Sequence, residues 1–138
     1  MRTKSVLTVI ALLSLSGITI AFARSIPQDS PNQLTPKEAL ALVRTLNSAE
    51  QTIKINESNY CALDVLLKRA DWFPRQSEIV LSDNSSGTLK GYRLSVVVSA
   101  DGKHYQLSLR PPSGCGVAYF TSDSGVIYEG KGLGCPTS

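Results

Sequence analysis

Few residues in this chain of 138 are of the types that carry out chemistry. There is one histidine, His104, and there are three cysteines, Cys61, Cys115 and Cys135. A serine-histidine-aspartate hydrolase would have to use His104. The strand pattern around it places it outward, beside a turn and opposite Ser99, whereas a triad needs a buried orienting carboxylate. A solvated surface histidine is the expectation. Asp64, Asp71 and Asp83 are scattered and make no carboxylate pair at glycosidase or metal-site spacing. One histidine and three cysteines also exclude multi-histidine centres and two-by-two cysteine zinc frameworks. Gly130-Lys131-Gly132-Leu133-Gly134 lacks the Gly-Lys-Ser/Thr ending and the following helix of a phosphate loop. The residues imply no enzyme and no cofactor.

Lys68, Arg69 and Arg75 form a small basic cluster beside Trp72 and Phe73. Basic and aromatic side chains together can hold single-stranded nucleic acid. The plainer expectation is a helix end with buried aromatics, whose cations complement the C-terminal dipole. Charge points the same way. Fourteen Lys+Arg face 11 Asp+Glu, and Arg2 and Lys4 belong to a leader, so the rest of the chain is almost balanced. No specific nucleic-acid partner is expected. Hydrophobic residues at 42% and charged ones at 18% exclude a disordered protein.

The leader is a short cationic start followed by an apolar run from Val6 to Ile20. It closes on Ala21-Phe22-Ala23, the small-x-small pattern of signal-peptide cleavage. Residues 1–23 read as a signal peptide. The alternative is a retained inner-membrane anchor over residues 5–23. No later stretch holds about 18 consecutive apolar residues. Export leads to an oxidising compartment, periplasmic or extracellular, where cysteines pair. Cys115 and Cys135 flank the last hairpin, and counting outward from its turn brings them side by side. Pairing of Cys61 with either of them stays open, and one thiol is left over.

The elements that must position these residues follow from periodicity. Residues 24–34 carry Pro27 and Pro31 and read as a flexible leader to a domain over 35–138. Thr35, Pro36 and Glu38 form a capping box with proline at the first helical position. Ala39, Leu42, Val43, Leu46, Ala49 and Ile53 then repeat at helical spacing. The spacing predicts an amphipathic helix over roughly 36–54, with Lys37, Arg44, Asn47 and Glu50 mostly on the other side. A second, shorter helix is expected from about Tyr60 to Ala70, and Ile79-Val80-Leu81 reads as a short strand. Ser82 to Gly87 reads as a loop. Tyr92, Leu94, Val96 and Val98 alternate with polar residues, as do Tyr105, Leu107 and Leu109. Asp101-Gly102 between them predicts a type I′ hairpin pairing Val98 with Tyr105, Val96 with Leu107 and Leu94 with Leu109. A last hairpin is expected from Val117–Thr121 and Val126–Glu129. Helices followed by strands give an α+β domain, one helix packed on a roughly four-stranded antiparallel meander.

This layout resembles the globular domain of type IV pilins and pseudopilins. The resemblance runs through Arg44-Thr45-Leu46-Asn47-Ser48-Ala49-Glu50, Asn59-Tyr60-Cys61-Ala62-Leu63 and Gly91-Tyr92-Arg93-Leu94. It continues in Tyr105-Gln106-Leu107-Ser108-Leu109-Arg110-Pro111 and in Phe120-Thr121-Ser122-Asp123-Ser124-Gly125-Val126-Ile127-Tyr128. A prepilin carries a Gly-Phe cleavage site and a glutamate five residues into its apolar helix. Here Gly17 is followed by Ile18-Thr19-Ile20-Ala21-Phe22, with no carboxylate. The resemblance therefore implies a pilin-like head exported as a soluble structural or interaction protein. A membrane-anchored minor pseudopilin of a secretion, pilus or DNA-uptake system is the alternative. It also implies a disulfide staple near the C-terminus, where pilin-like domains often carry one.

Overall fold

The computed structural model describes residues 33–69 and 75–132. The first helix, α1, spans Pro36–Glu57. Its capping box forms as the sequence requires. The Glu38 amide donates to the Thr35 hydroxyl at 3.2 Å, and the Thr35 amide donates to the Glu38 carboxylate at 2.8 Å. The helix ends where Ser58 turns left-handed, with φ of 65°. Tyr60, Cys61 and Ala62 do not extend a second helix, which begins later, as α2 over Leu63–Arg69. Tyr60 donates its amide to the carbonyl of Gly102 at 2.9 Å, and Cys61 donates its amide to the Glu50 carboxylate. Both donors are thereby satisfied by tertiary partners. Trp72 and Phe73, expected as core anchors, lie outside the described residues.

Six strands follow: β1 Val80–Leu81, β2 Ser86–Leu89, β3 Tyr92–Val98, β4 Tyr105–Arg110, β5 Val117–Ser122 and β6 Tyr128–Lys131. Each pairs antiparallel with its neighbour in chain order. The domain is α+β, but the sheet has six strands rather than the expected four. β2 was hidden by its Ser-Gly start, which reads as turn. Gly87 is there because β1 passes close: a Cβ at this position would sit 2.9 Å from the Val80 carbonyl oxygen. β6 starts at Tyr128 rather than Val126, so a longer connection leaves Val126 exposed.

The central register is the expected one, with Val98 opposite Tyr105, Val96 opposite Leu107 and Leu94 opposite Leu109. The turn that sets it is not type I′. Only Gly102 has positive φ, and its amide closes on the Ser99 carbonyl at 2.9 Å. The Asp101 carboxylate instead accepts from the Ser99 hydroxyl and the Lys103 amide, which fixes a wider loop. The two-residue turn with positive φ at both positions is Lys90-Gly91, joining β2 to β3.

One face of this sheet is the floor of the core. Leu89, Leu94, Val96, Tyr105, Leu107, Leu109 and Tyr119 are buried beneath α1 and α2. From the helices come Ala39, Leu42, Val43, Leu46, Leu63 and Leu66. Leu34, at the end of the expected leader, is buried with them. No described helix is long and apolar enough to cross a membrane. Residues 1–23 lie outside the described range.

Leu107 is central to this packing, and truncating it leaves a cavity. Leu107→Ala should lower unfolding free energy by about 2–5 kcal/mol in a denaturant titration. Val97→Ala, on the opposite face where Val97 is 56% exposed, should change it by no more than about 0.5 kcal/mol.

Candidate functional site

The basic cluster does not assemble. Lys68 pairs with Asp64 at 3.3 Å, Arg69 pairs with Glu57, and Arg75 pairs with Glu38 at 2.6 Å. Each cation meets its own acid, so the three do not add up to an anion site. Arg75 also helps the Thr35 amide hold the Glu38 carboxyl down at about 2.

His104 stands just before β4 and Asp123 just after β5. Pairing of those strands brings the imidazole Nδ1 within 2.8 Å of the Asp123 carboxylate, and this contact lowers the Asp123 pKa. The histidine is 69% exposed and the aspartate 38%. Ser99, its neighbour across the hairpin, turns its hydroxyl to Asp101 and to the His104 main chain rather than to the ring. The contact is open to solvent and worth little to stability. Among the described residues no three His, Cys, Asp or Glu side chains gather as a metal site would require.

Cys61 is a free, half-buried thiol. Burial, and then the nearby Glu50 charge, push its pKa up to about 12. A thiol held in that form is a poor nucleophile. Its free state sets aside both pairings of Cys61. Cys135, the expected partner of Cys115, lies outside the described residues.

Two polar residues of α1 that were expected on its solvent side face the sheet instead. The Asn47 side-chain oxygen accepts from the Tyr105 hydroxyl and, at 3.2 Å, from the Thr121 hydroxyl. Glu50 is 0% exposed. One carboxylate oxygen accepts from the Cys61 amide at 3.2 Å, and the other has no hydrogen-bond partner among the described residues. Burial raises its pKa to about 7, against the lowering effect of the Cys61 amide. The spacing contained the signal. Val43, Leu46, Glu50 and Ile53 stand at i, i+3, i+7 and i+10, so Glu50 continues the apolar stripe.

The outward face of the sheet is a different surface. Register places Thr88, Arg93 and Arg110 in one row across β2, β3 and β4, and Ser86, Ser95, Ser108, Phe120 and Tyr128 in the next. Phe120 and Tyr128 are exposed cross-strand neighbours, and the Arg110 guanidinium lies 5.7 Å from the Phe120 ring centre. Arg93 and Arg110 enter none of the ion pairs found among the described residues. This face carries cations, aromatics and hydroxyls, and no carboxylate among its described strand residues. The alternation is legible in the sequence, but this cluster of side chains is not contiguous in the chain and exists only across strands.

Comparison with protein-family models, with curated proteins and with solved structures finds no match to this chain.

The buried carboxyl makes stability depend on pH. At low pH Glu50 is protonated in both states. From pH 4.5 to about 7 the unfolded chain releases the proton while the folded chain keeps it, so stability falls as pH rises. Glu38 and Asp83, both lowered to about 2, act in the opposite sense and at lower pH. Urea midpoints should therefore decline between about pH 5 and 7, and Glu50→Gln should remove that decline. An unchanged slope in the variant would refute this assignment.

Proposed function

We propose that this chain is an exported, non-enzymatic, pilin-like structural or interaction protein, working in the periplasm or outside the cell. The observation that carries the reading is the division of the sheet. One face is filled by the α1 stripe, and the other stays open with aromatic and cationic side chains on it. A plate built this way offers a rigid surface to a partner. The order of elements supports the pilin likeness: a helix laid across an antiparallel meander. The leader supports export, since Ala21-Phe22-Ala23 closes a cationic and apolar start. The paired cations, the solvated His104 and the suppressed Cys61 thiol give catalysis no support.

The apolar run from Val6 to Ile20 favours one second reading, a membrane-anchored minor pseudopilin held by residues 5–23. The mature N-terminus separates the two. Mass spectrometry of the protein from its exporting host should find a chain beginning at Arg24. An intact or N-methylated apolar segment would instead assign the anchored form.

The reading includes a staple between Cys115 and Cys135. The free thiol of Cys61 supports it, by leaving those two for each other in an oxidising compartment. A non-reducing peptide map should contain one cross-linked species joining the two cysteines. Cys135→Ser should cost about 3 kcal/mol of unfolding free energy in the chain-entropy account of such a loop. A map that joins Cys61 to either residue would overturn the pairing.

A further inference from the structure

We propose that the outward face of the sheet binds an acidic polysaccharide, its carboxylates held by Arg93 and Arg110 and a sugar ring laid on Tyr128. The choice of polymer rests on the exported reading, because surface glycans are polyanions that an exported protein meets.

The first ground is electrostatic. Arg93 and Arg110 are directly opposite one another on β3 and β4. Like charges in that position destabilise a sheet. An acid at a neighbouring outward position would relieve them, but β2 offers Thr88 next to Arg93. Both arginines line a cavity of ~410 Å³. Among the described residues no carboxylate lines it, and Gly114, Gly116 and Gly130 keep its walls low. Two cations, with no acid paired to them among the described residues, share one hollow.

The second ground is the surface beyond it. A further hollow of ~460 Å³ shares Arg110 and Phe120 with the first. It is lined by Ser95, Gln106, Ser108 and Tyr128, and it adds no cation. Tyr128 is 59% exposed and presents an aromatic plate of the kind on which the apolar faces of sugars stack. The Arg110 guanidinium lies over the Phe120 ring, which holds that cation extended where the two hollows meet.

This division distinguishes the polymer. A single-stranded nucleic acid carries a phosphate at every step, and its sites run cations along the whole track. Here one half is cationic and the other half is hydroxyl, amide and aromatic. A glycan whose acidic groups are set among neutral hydroxyls matches both halves. An acidic peptide strand would add to a sheet edge through its main chain, whereas these groups lie on the sheet's face.

The test titrates the purified protein with polygalacturonate, hyaluronate, neutral dextran and oligothymidine by calorimetry. At least one of the two acidic glycans should bind, more weakly as salt rises, and dextran should not. Arg93→Ser with Arg110→Ser should weaken binding about tenfold or more, a loss near 1.4 kcal/mol. Tyr128→Ala should weaken it several-fold. Lys68→Ser with Arg69→Ser, in the cluster whose cations are already paired, should leave binding unchanged. The proposal is overturned if neither acidic glycan binds, if the arginine variant binds as the parent does, or if oligothymidine binds more tightly. An Arg24 N-terminus with no glycan binding removes the ligand and leaves the exported reading standing. A chain found in the cytosol with its leader intact removes that reading, and with it the ground for choosing a glycan.

Discussion

The burial of one stripe of α1 against β4 and β5 is the interaction on which the rest of this domain depends. An isolated helix of this length is marginal in water, and a sheet with one apolar face is no better off. Each supplies the layer that the other lacks. Tyr105 sits where the layers meet. It pairs across the strand with Val98, its ring centre lies 4.6 Å from that of Tyr60, and its hydroxyl reaches Asn47 on the helix. It thereby joins both central strands, the loop after α1, and α1 itself. The contact is specific because the hydroxyl must find its acceptor as the ring is buried.

That seam is not purely apolar. Asn47 is satisfied by two hydroxyls, whereas Glu50 is satisfied on one oxygen alone. A buried half-satisfied carboxyl opposes folding, yet it serves the chain. The Cys61 amide leaves the helical path at this point, and without Glu50 it would lose its acceptor. The charge that this costs is reduced because burial raises the carboxyl pKa to about 7. Burial, with that charge adding to it, keeps the Cys61 thiol protonated. Glu50 thus supports the path from α1 to α2 and adds to the suppression of its neighbour's reactivity.

The parts of the fold legible in the sequence were those governed by short-range rules. Thr35, Pro36 and Glu38 announce the start of α1, and the alternation of β3 and β4 determines their register with no structural input. The parts that were not legible depend on contacts distant in the chain. Ser86-Gly87-Thr88-Leu89 becomes a strand only because β1 lies against Gly87 and β3 pairs beside it. Asp101-Gly102 carries the sequence of a tight hairpin, but the Asp101 carboxylate finds nearer partners and widens the turn. Glu50 looked polar by type and belonged to the core by position. At the candidate site the error was one of adjacency. Lys68 and Arg69 are consecutive in the chain and each finds an acid, whereas Arg93 and Arg110, 17 residues apart, are neighbours without one among the described residues.

That contrast bears on how stability and recognition are divided. The described carboxylates are engaged on the helix side and in the loops. Glu38, Glu57 and Asp64 pair with cations, Asp83 and Asp101 cap turns, and Asp123 meets His104. Glu129 pairs with Tyr119, so it points to the inner side of its strand. The outer face receives none of them. A sheet selected for stability alone would place an acid beside Arg93, since a cross-strand pair of opposite charges gains what a like pair loses. Natural sequences depart from local consistency mainly where function demands it. The arginine pair on the outer face is such a departure, and the fold can tolerate it because the core on the opposite face does not depend on those side chains.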